Sequence, residues 1–392
     1  MAAVTRLQKH LPRIALMLGN FVTGVSILTP AGMLPVLAEG LNVSIRDAGL
    51  LVTFGALVLC IGSPLLAWLT TRVDRRVLLV GTLGVLVIGQ AASAFATSYA
   101  AVLAIRLAML AVAAIYTPQA ASTAAMIVPE KERAGTIAFV FLGWSLAVAG
   151  GLPLVSFIAA HLGWRAVFGV AAAIALIPCA LLAVTLPRGL RGAPLSLKSF
   201  AVIARHRRIM TLLLITALHT SGQFTVFIYL APLLQSLSGT SLESIGILFA
   251  IYGVAGFTGN VIATRVVGSL GTWATSGIFL VSTFIGLTLW ALGAGWMPAI
   301  VASMLAWGLG FAATNSMQQA RLVQAAPDLS SATVGLNTSL LYVGQAIGSA
   351  VGGVLFSLGA LHAIGYVGTA FVAAAIVVWL STREQSPARS AS

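Results

Sequence analysis

Residues 48–97 read AGLLVTFGALVLCIGSPLLAWLTTRVDRRVLLVGTLGVLVIGQAASAFAT. Two apolar runs, 48–70 and 77–97, contain no charged side chain, and the six residues between them, Thr71-Arg72-Val73-Asp74-Arg75-Arg76, contain four. Each run matches the roughly 20 residues an α-helix needs to cross a bilayer core. Neither alternates apolar with polar residues, as a strand of a lipid-facing barrel would. Backbone in hydrocarbon must satisfy its own hydrogen bonds, so uninterrupted runs of this kind read as helices. The stretch is two membrane-spanning helices joined by a short basic turn.

The same pattern runs the length of the chain. Apolar runs bounded by charge, Gly or Pro predict twelve spans, at 13–37, 48–70, 77–97, 100–127, 134–159, 163–186, 209–235, 243–266, 272–293, 296–320, 332–358 and 361–382. The composition agrees: of 392 residues, 59% are apolar and 7% charged, against about 25% charged in soluble domains. A mean hydropathy of +1.04 leaves no room for a large soluble domain, and it excludes disorder and disulfide scaffolds. The expected fold is all-α, a twelve-helix membrane protein. Cys60 and Cys179 lie singly in apolar runs and read as core residues, without metal-ligand spacing. The amino-terminal run is too long for the apolar stretch of a cleavable signal.

A net charge of +13 on a soluble protein would suggest nucleic acid. Here it reports topology, because the basic residues sit in short segments between spans. With the amino terminus inside, 18 of the 21 Lys and Arg fall on the cytoplasmic side. Arg46 and Arg165 lie outside, Arg106 lies within a span, and both termini are expected in the cytoplasm. The longest polar stretch, 187–208, carries Lys198 and the cluster Arg205-His206-Arg207-Arg208. It divides the chain into a six-helix bundle at 1–186, a cytoplasmic linker, and a second bundle at 209–392 with a short tail. An internal repeat supports the division: Thr71-Arg72-Val73 closes span 2 and Thr264-Arg265-Val266 closes span 8. Arg13-Ile14 and Arg208-Ile209 likewise open spans 1 and 7. Parallel six-helix repeats are a transporter architecture with a site near the midplane.

Several short motifs fall on these spans in order. Gly32-Met33-Leu34-Pro35 ends span 1, Asn42-Val43-Ser44 precedes span 2, and Pro64 to Arg76 forms the 2–3 loop. Gly150-Gly151-Leu152-Pro153 lies in span 5, Gly163-Trp164-Arg165-Ala166-Val167-Phe168 opens span 6, and Asn337, Gly344, Gly348, Gly352 and Gly353 mark span 11. Together they resemble the major facilitator superfamily, within it the twelve-span drug:proton antiporter and sugar-efflux (arabinose-efflux-permease-like) group. The resemblance implies a bacterial inner-membrane transporter, monomeric, without a cofactor. Two departures matter. Thr71 and Asp74 stand where the loop signature has Asp and Gly, and Ile27 stands where this group often has a proton-carrying Glu. All eight acids, Glu39, Asp47, Asp74, Glu130, Glu132, Glu243, Asp328 and Glu384, fall in loops or at span ends.

Polar side chains within spans are the candidate site residues, because each is costly in lipid unless it lines a wet path or glues helices. Arg106 matches the superfamily's span-4 Arg and is a candidate substrate anchor. His219, near mid-bilayer in span 7 with Gln223 at i+4, is the one intramembrane side chain with an ordinary titration near neutrality. It is therefore both a substrate and a proton-coupling candidate. Phe227 is expected to wall the site beside Trp144, Phe224, Trp307 and Phe311. Asn315 and Gln319 share a face of span 10, as do Asn337 and Tyr342 on span 11; Asn20 and Gln90 are further polar groups within spans. Arg72, Asp74, Arg75 and Arg76 face an expected partner in Glu130-Lys131-Glu132-Arg133, a charge network able to gate one side. Gly150, Gly151, Pro153, Gly348 and Gly352 are expected to let helices approach closely.

The residues therefore predict a secondary transporter working by alternating access, an efflux permease for drug-like or sugar-like small molecules, with protons as a second candidate partner. The alternative within transport is an uncoupled facilitator or uptake carrier. A lipid-modifying membrane enzyme would need acids or histidines clustered at one interface, and none are.

Overall fold

In the computed structural model every regular element among the described residues is helical. The structure describes residues 2–70, 72–191, 203, 205–326 and 329–383. Much of the 187–208 linker, Lys198 included, lies outside them, as do Thr71, Asp328, Glu384, Arg389 and the side chains of Arg6, Lys9 and Lys131. Ten helices are long and apolar enough to span a membrane. Two of these, Gly135–Thr185 and Leu242–Gly293, have 51 and 52 residues. A straight helix of that length would run about 77 Å, more than twice a bilayer core. Each turns back at one glycine: Gly163 has φ +78° and Gly271 has φ +77°, a left-handed conformation that a Cβ disfavours. The ten helices thus make twelve spans.

Spans 1 to 4 are His10–Gly32, Ile45–Leu66, Arg75–Ala94 and Tyr99–Met126, the last broken near residues 114–115. Spans 5 and 6 are 135–162 and 164–185, span 7 is Arg207–Phe227, and spans 8 and 9 are 242–270 and 272–293. Spans 10 to 12 are Met297–Ala325, Ala332–Ser357 and Leu361–Leu380. The apolar runs predicted for spans 1 and 7 overrun the helices. Each divides into the span and a short second helix, Leu34–Gly40 and Leu230–Ser238. Side-chain oxygens start several spans: Ser44, Asp74, Ser98 and Ser241 accept the amides of Asp47, Arg76, Ala101 and Ser244.

An even number of spans places both ends on one face, here the terminal face. Isoleucines and valines on the outer surface, Ile61, Ile88, Val184 and Val377 among them, are at least 65% exposed. That surface suits acyl chains. Spans 1–6 pack mainly among themselves, as do spans 7–12, and the two sets meet along spans 2 and 11 and along spans 5 and 8.

Hydrogen bonds and a His–Glu pair between the sets lie at the face opposite the termini. Thr53 Oγ1 donates to Ser349 Oγ at 2.9 Å, and Ser349 Oγ donates to the Gly49 carbonyl at 3.3 Å. His161 of span 5 pairs with Glu243 of span 8 at 3.2 Å. Small residues make the approach close. A Cβ on Gly49 or Gly353 would meet the Tyr229 hydroxyl, and one on Gly253 would strike the backbone of Ala149. Ala149 sits in a one-turn widening of span 5, where the Leu152 amide reaches back five residues to the Ala147 carbonyl. Pro153, four residues on, has no N–H for the Ala149 carbonyl, so the regular ladder is broken there.

Candidate functional site

Near mid-depth the first six spans carry a polar cluster. Asn20 of span 1 donates from Nδ2 to the Val140 carbonyl at 3.0 Å, and its Oδ1 accepts from Thr117 Oγ1 at 2.7 Å. Trp144 of span 5 donates from Nε1 to Thr117 Oγ1 at 3.2 Å. The last six spans hold a counterpart. Thr216 of span 7 donates to Asn337 Oδ1 at 2.7 Å, and Asn337 Nδ2 donates to Asn315 Oδ1 at 3.0 Å. Asn20 and Thr216 are 196 residues apart, Thr117 and Asn315 198, and Trp144 and Asn337 193. The two clusters join spans 1, 4 and 5 and spans 7, 10 and 11, repeating at the spacing of the internal repeat. In each, the innermost amide is fully buried, while Thr117, Trp144 and Asn315 are half-buried. Half-buried amides and hydroxyls retain hydrogen-bonding capacity for a ligand, with no net charge.

Gln319 is half-buried one turn beyond Asn315, and Tyr342 is nearly buried. Phe311 leads from Asn315 into an aromatic group formed with Tyr252, Trp307 and Phe227. Phe227 and Trp307 are at most 2% exposed, so they form core rather than an open wall.

Arg106 is 2% exposed and spends its guanidinium on backbone. Nε donates to the Leu51 carbonyl at 3.2 Å, Nη1 to Ser26 at 3.0 Å and Nη2 to Ile27 at 2.6 Å. Pro30 lies within span 1 and lacks the amide that would take the Ser26 carbonyl. Arg106 supplies the missing donor and binds span 4 to spans 1 and 2. The geometry is that of a helix-packing group.

His219, 3% exposed, faces span 9 and the aromatic group. Trp307 Nε1, which can only donate, lies 2.9 Å from Gln223 Oε1, and the Tyr252 hydroxyl donates to the same oxygen at 3.3 Å. Gln223 Nε2 is therefore a donor toward the ring, 3.3 Å from His219 Nδ1 and 3.2 Å from Nε2. Thr283 Oγ1 gives its proton to the Phe279 carbonyl at 3.1 Å and lies 3.3 Å from His219 Nε2. These roles fit a neutral ring that accepts from Gln223 at Nδ1 and donates to Thr283 from Nε2.

The charges of the terminal face are arranged differently from the expected gate. Among the described residues no ion pair joins Arg72, Asp74, Arg75 or Arg76 to Glu130 or Arg133. Glu132 instead pairs with Arg13 at 2.5 Å. Arg76 donates to the carbonyls of Ala183 and Leu186, and Asp74 accepts the amides of Arg76, Val77 and Gly189. Partial burial pushes the Asp74 carboxyl up, but those three amides and the nearby Arg191 charge together hold it below the usual carboxylate range. The chain segment after span 6 is thereby tied to the 2–3 loop.

Of the packing residues, Gly151 faces Val25, Pro153 faces Gly246, and Gly348 and Gly352 lie against span 7. Gly150 differs: it is exposed, with nothing within 4 Å of a Cβ placed there. An apolar groove of about 410 Å³ between spans 8 and 10, lined by Ile251, Val254 and Leu305 among others, holds no functional polar side chain beyond Thr258. No group of His, Cys, Asp and Glu suited to a metal occurs among the described residues.

The family model described as Major Facilitator Superfamily matches residues 16–347, across both sets of spans. The chain belongs to the major facilitator superfamily. It is similar to the inner membrane transport protein YdhP of Escherichia coli K12, 28% identical over 376 residues, covering 95% of this chain and 96% of the relative. A probable sugar efflux transporter of Mannheimia succiniciproducens is 28% identical over 374 residues, covering 93% and 92%. In fold it resembles a mutant form of the nucleoside transporter NupG, with a TM-score of 0.75 at 14% identity, covering 96% and 100%. The protein is a multi-pass membrane transporter of small molecules, not an enzyme.

Thr117, Thr216, Ser349, His161 and Glu243 carry contacts that sequence reasoning missed. Threonine and serine are common in spans, and His161 and Glu243 lie 82 residues apart. Only the repeat spacing, applied residue by residue, would have marked the two threonines.

Proposed function

We propose that this protein is an inner-membrane efflux permease for neutral, polar small molecules, sugar-like or drug-like, working by alternating access. The observation carrying this reading is the pair of amide–hydroxyl clusters, one in each set of spans, at similar depth and without a carboxylate. Hydroxyl-rich or amide-bearing solutes satisfy such groups, and a cation would meet no counter-charge there. The similarity to a protein named as a probable sugar efflux transporter supports export. Residues 1–186 and 209–392 act as the two rocking bodies joined by 187–208, with Asn315, Gln319, Asn337 and Tyr342 on the substrate side of the second body. The terminal face is cytoplasmic, by the Lys and Arg bias, and the seal of spans 2 and 11 and 5 and 8 closes the outer side.

A second reading, uncoupled facilitation, is favoured by His219. Adding a proton to its ring would set an N–H against the Gln223 N–H, and turning the amide would strand Trp307 Nε1. With Ile27 apolar and the described acids at span ends, no titratable group stands ready on a transmembrane path. Proteoliposomes loaded with labelled sugars, nucleosides or antibiotics, with and without an imposed pH gradient, test both readings. Gradient-driven accumulation supports coupled efflux, equilibration alone supports the facilitator, and no flux of any neutral solute overturns the assignment of substrate class.

A further inference from the structure

Arg75, the first residue of span 3, is 4% exposed, and its Nε and Nη1 are buried without a hydrogen-bond partner. The other arginines of the first six spans show how unusual this is. Arg106 gives all three nitrogens to carbonyls, Arg76 reaches two, and Arg13 has Glu132. The adjacent acid does not help. Asp74 already accepts three backbone amides. The Arg75 amide is also spent, on the Leu190 carbonyl at 2.8 Å, so the chain after span 6 crosses the head of span 3. Around this point Arg72, Arg188 and Arg191 are exposed, leaving an excess of positive charge. Two buried guanidinium nitrogens without an acceptor are costly, and none of the described acids meets them. The start of a span is also the depth of lipid headgroups.

We propose that Arg75 anchors a phosphate site on the terminal face of the first six spans, filled by the phosphodiester of a lipid headgroup or by free phosphate. The planar fork of arginine suits two phosphate oxygens, and Arg72 and Arg191 supply supporting charge at the rim. This site is separate from the transport clusters at mid-depth.

The test uses the full chain in detergent, with thermal unfolding and native mass spectrometry as readouts. The probes are short-chain phosphatidylglycerol, short-chain phosphatidylcholine and inorganic phosphate, with chloride as control. Phosphatidylglycerol is expected to raise the unfolding temperature of the native protein and to remain bound in the gas phase. R75Q should lose both effects, while R72Q keeps most of them. R75K, which retains charge but not the fork, should bind about tenfold more weakly and decides the matter if R75Q fails to fold. A response to inorganic phosphate alone assigns the site to free phosphate, and a response to both lipids and not to phosphate assigns it to the headgroup. Equal responses in native protein, R75Q and R75K, or no response to any phosphate probe, overturn the proposal.

Discussion

Arg106 and His219 show how the same sequence signal, a polar side chain inside an apolar run, resolves in two ways. Arg106 completes the hydrogen bonding of a proline-broken helix, because Pro30 leaves the Ser26 carbonyl without its amide. Arg106→Leu should cost about 1–3 kcal/mol for each carbonyl left buried and unpaired, seen as a lower unfolding temperature in detergent. A substrate anchor would instead raise the KM with little change in stability. His219 and Gln223 form a closed set of donors and acceptors with Trp307, Tyr252 and Thr283. His219→Gln is therefore expected to leave the pH dependence of transport unchanged while lowering stability. Loss of gradient-driven accumulation with stability intact would restore His219 as the proton carrier. Both positions were legible in the sequence as intramembrane polar groups. Their partners were not, since each bond depends on which helix lies alongside.

At the scale of elements, Pro153 and Gly253 belong to one contact. The proline widens a turn of span 5, and the glycine of span 8 lies against the widened segment at Ala149. Gly253→Val places a branched side chain where backbone now sits, so it should force spans 5 and 8 apart and expose the opposite face. Cysteines introduced at the start of span 8 would then react faster with an impermeant thiol reagent added from that side; unchanged rates would show the contact to be slack. At the other face Asp74 caps span 3 and holds the Gly189 amide. Its folded-state titration lies below the unfolded one, so its stabilisation is complete above the usual carboxylate range and is lost as pH falls through the lowered value. Asp74→Asn keeps a capping oxygen without the charge. The gap in unfolding temperature between native protein and Asp74→Asn should accordingly be widest near neutral pH and close in acid. A constant gap would assign the effect to shape alone.

For the whole molecule, the decisive arrangement is a seal at one face and mid-depth clusters in both sets of spans. The His161–Glu243 pair is exposed and contributes only about 0–1 kcal/mol. The seal therefore rests mainly on small-residue packing and on Ser349, which meets Thr53, Gly49 and Tyr229. Ser349→Ala removes the hydroxyl with little change in volume, and is expected to raise labelling from the opposite face more than Glu243→Gln does. The reverse order would put the weight of the seal on the His161–Glu243 pair. Orientation has its own test. A cysteine at Arg191 should react with impermeant reagent only from the cytoplasmic side of intact cells, and labelling from outside would invert the topology.

The sequence by itself determined that this chain is a twelve-span helical membrane protein, because apolar runs of membrane-spanning length admit no other backbone that satisfies its hydrogen bonds in lipid. It also marked the glycine motifs and the absence of acids from span interiors, which are properties of composition and spacing. It did not determine what each buried polar group bonds to. The predicted gate between the 2–3 and 4–5 loops, the approach of Gly253 to Ala149 and the emptiness around Gly150 all depend on how helices far apart in the chain are rotated against one another. Rotation is set by side-chain packing summed over many neighbours, and a single apolar run carries little record of it. Only the tertiary structure could decide that Arg106 has three acceptors and that Arg75, with the same side chain, leaves two buried nitrogens without one.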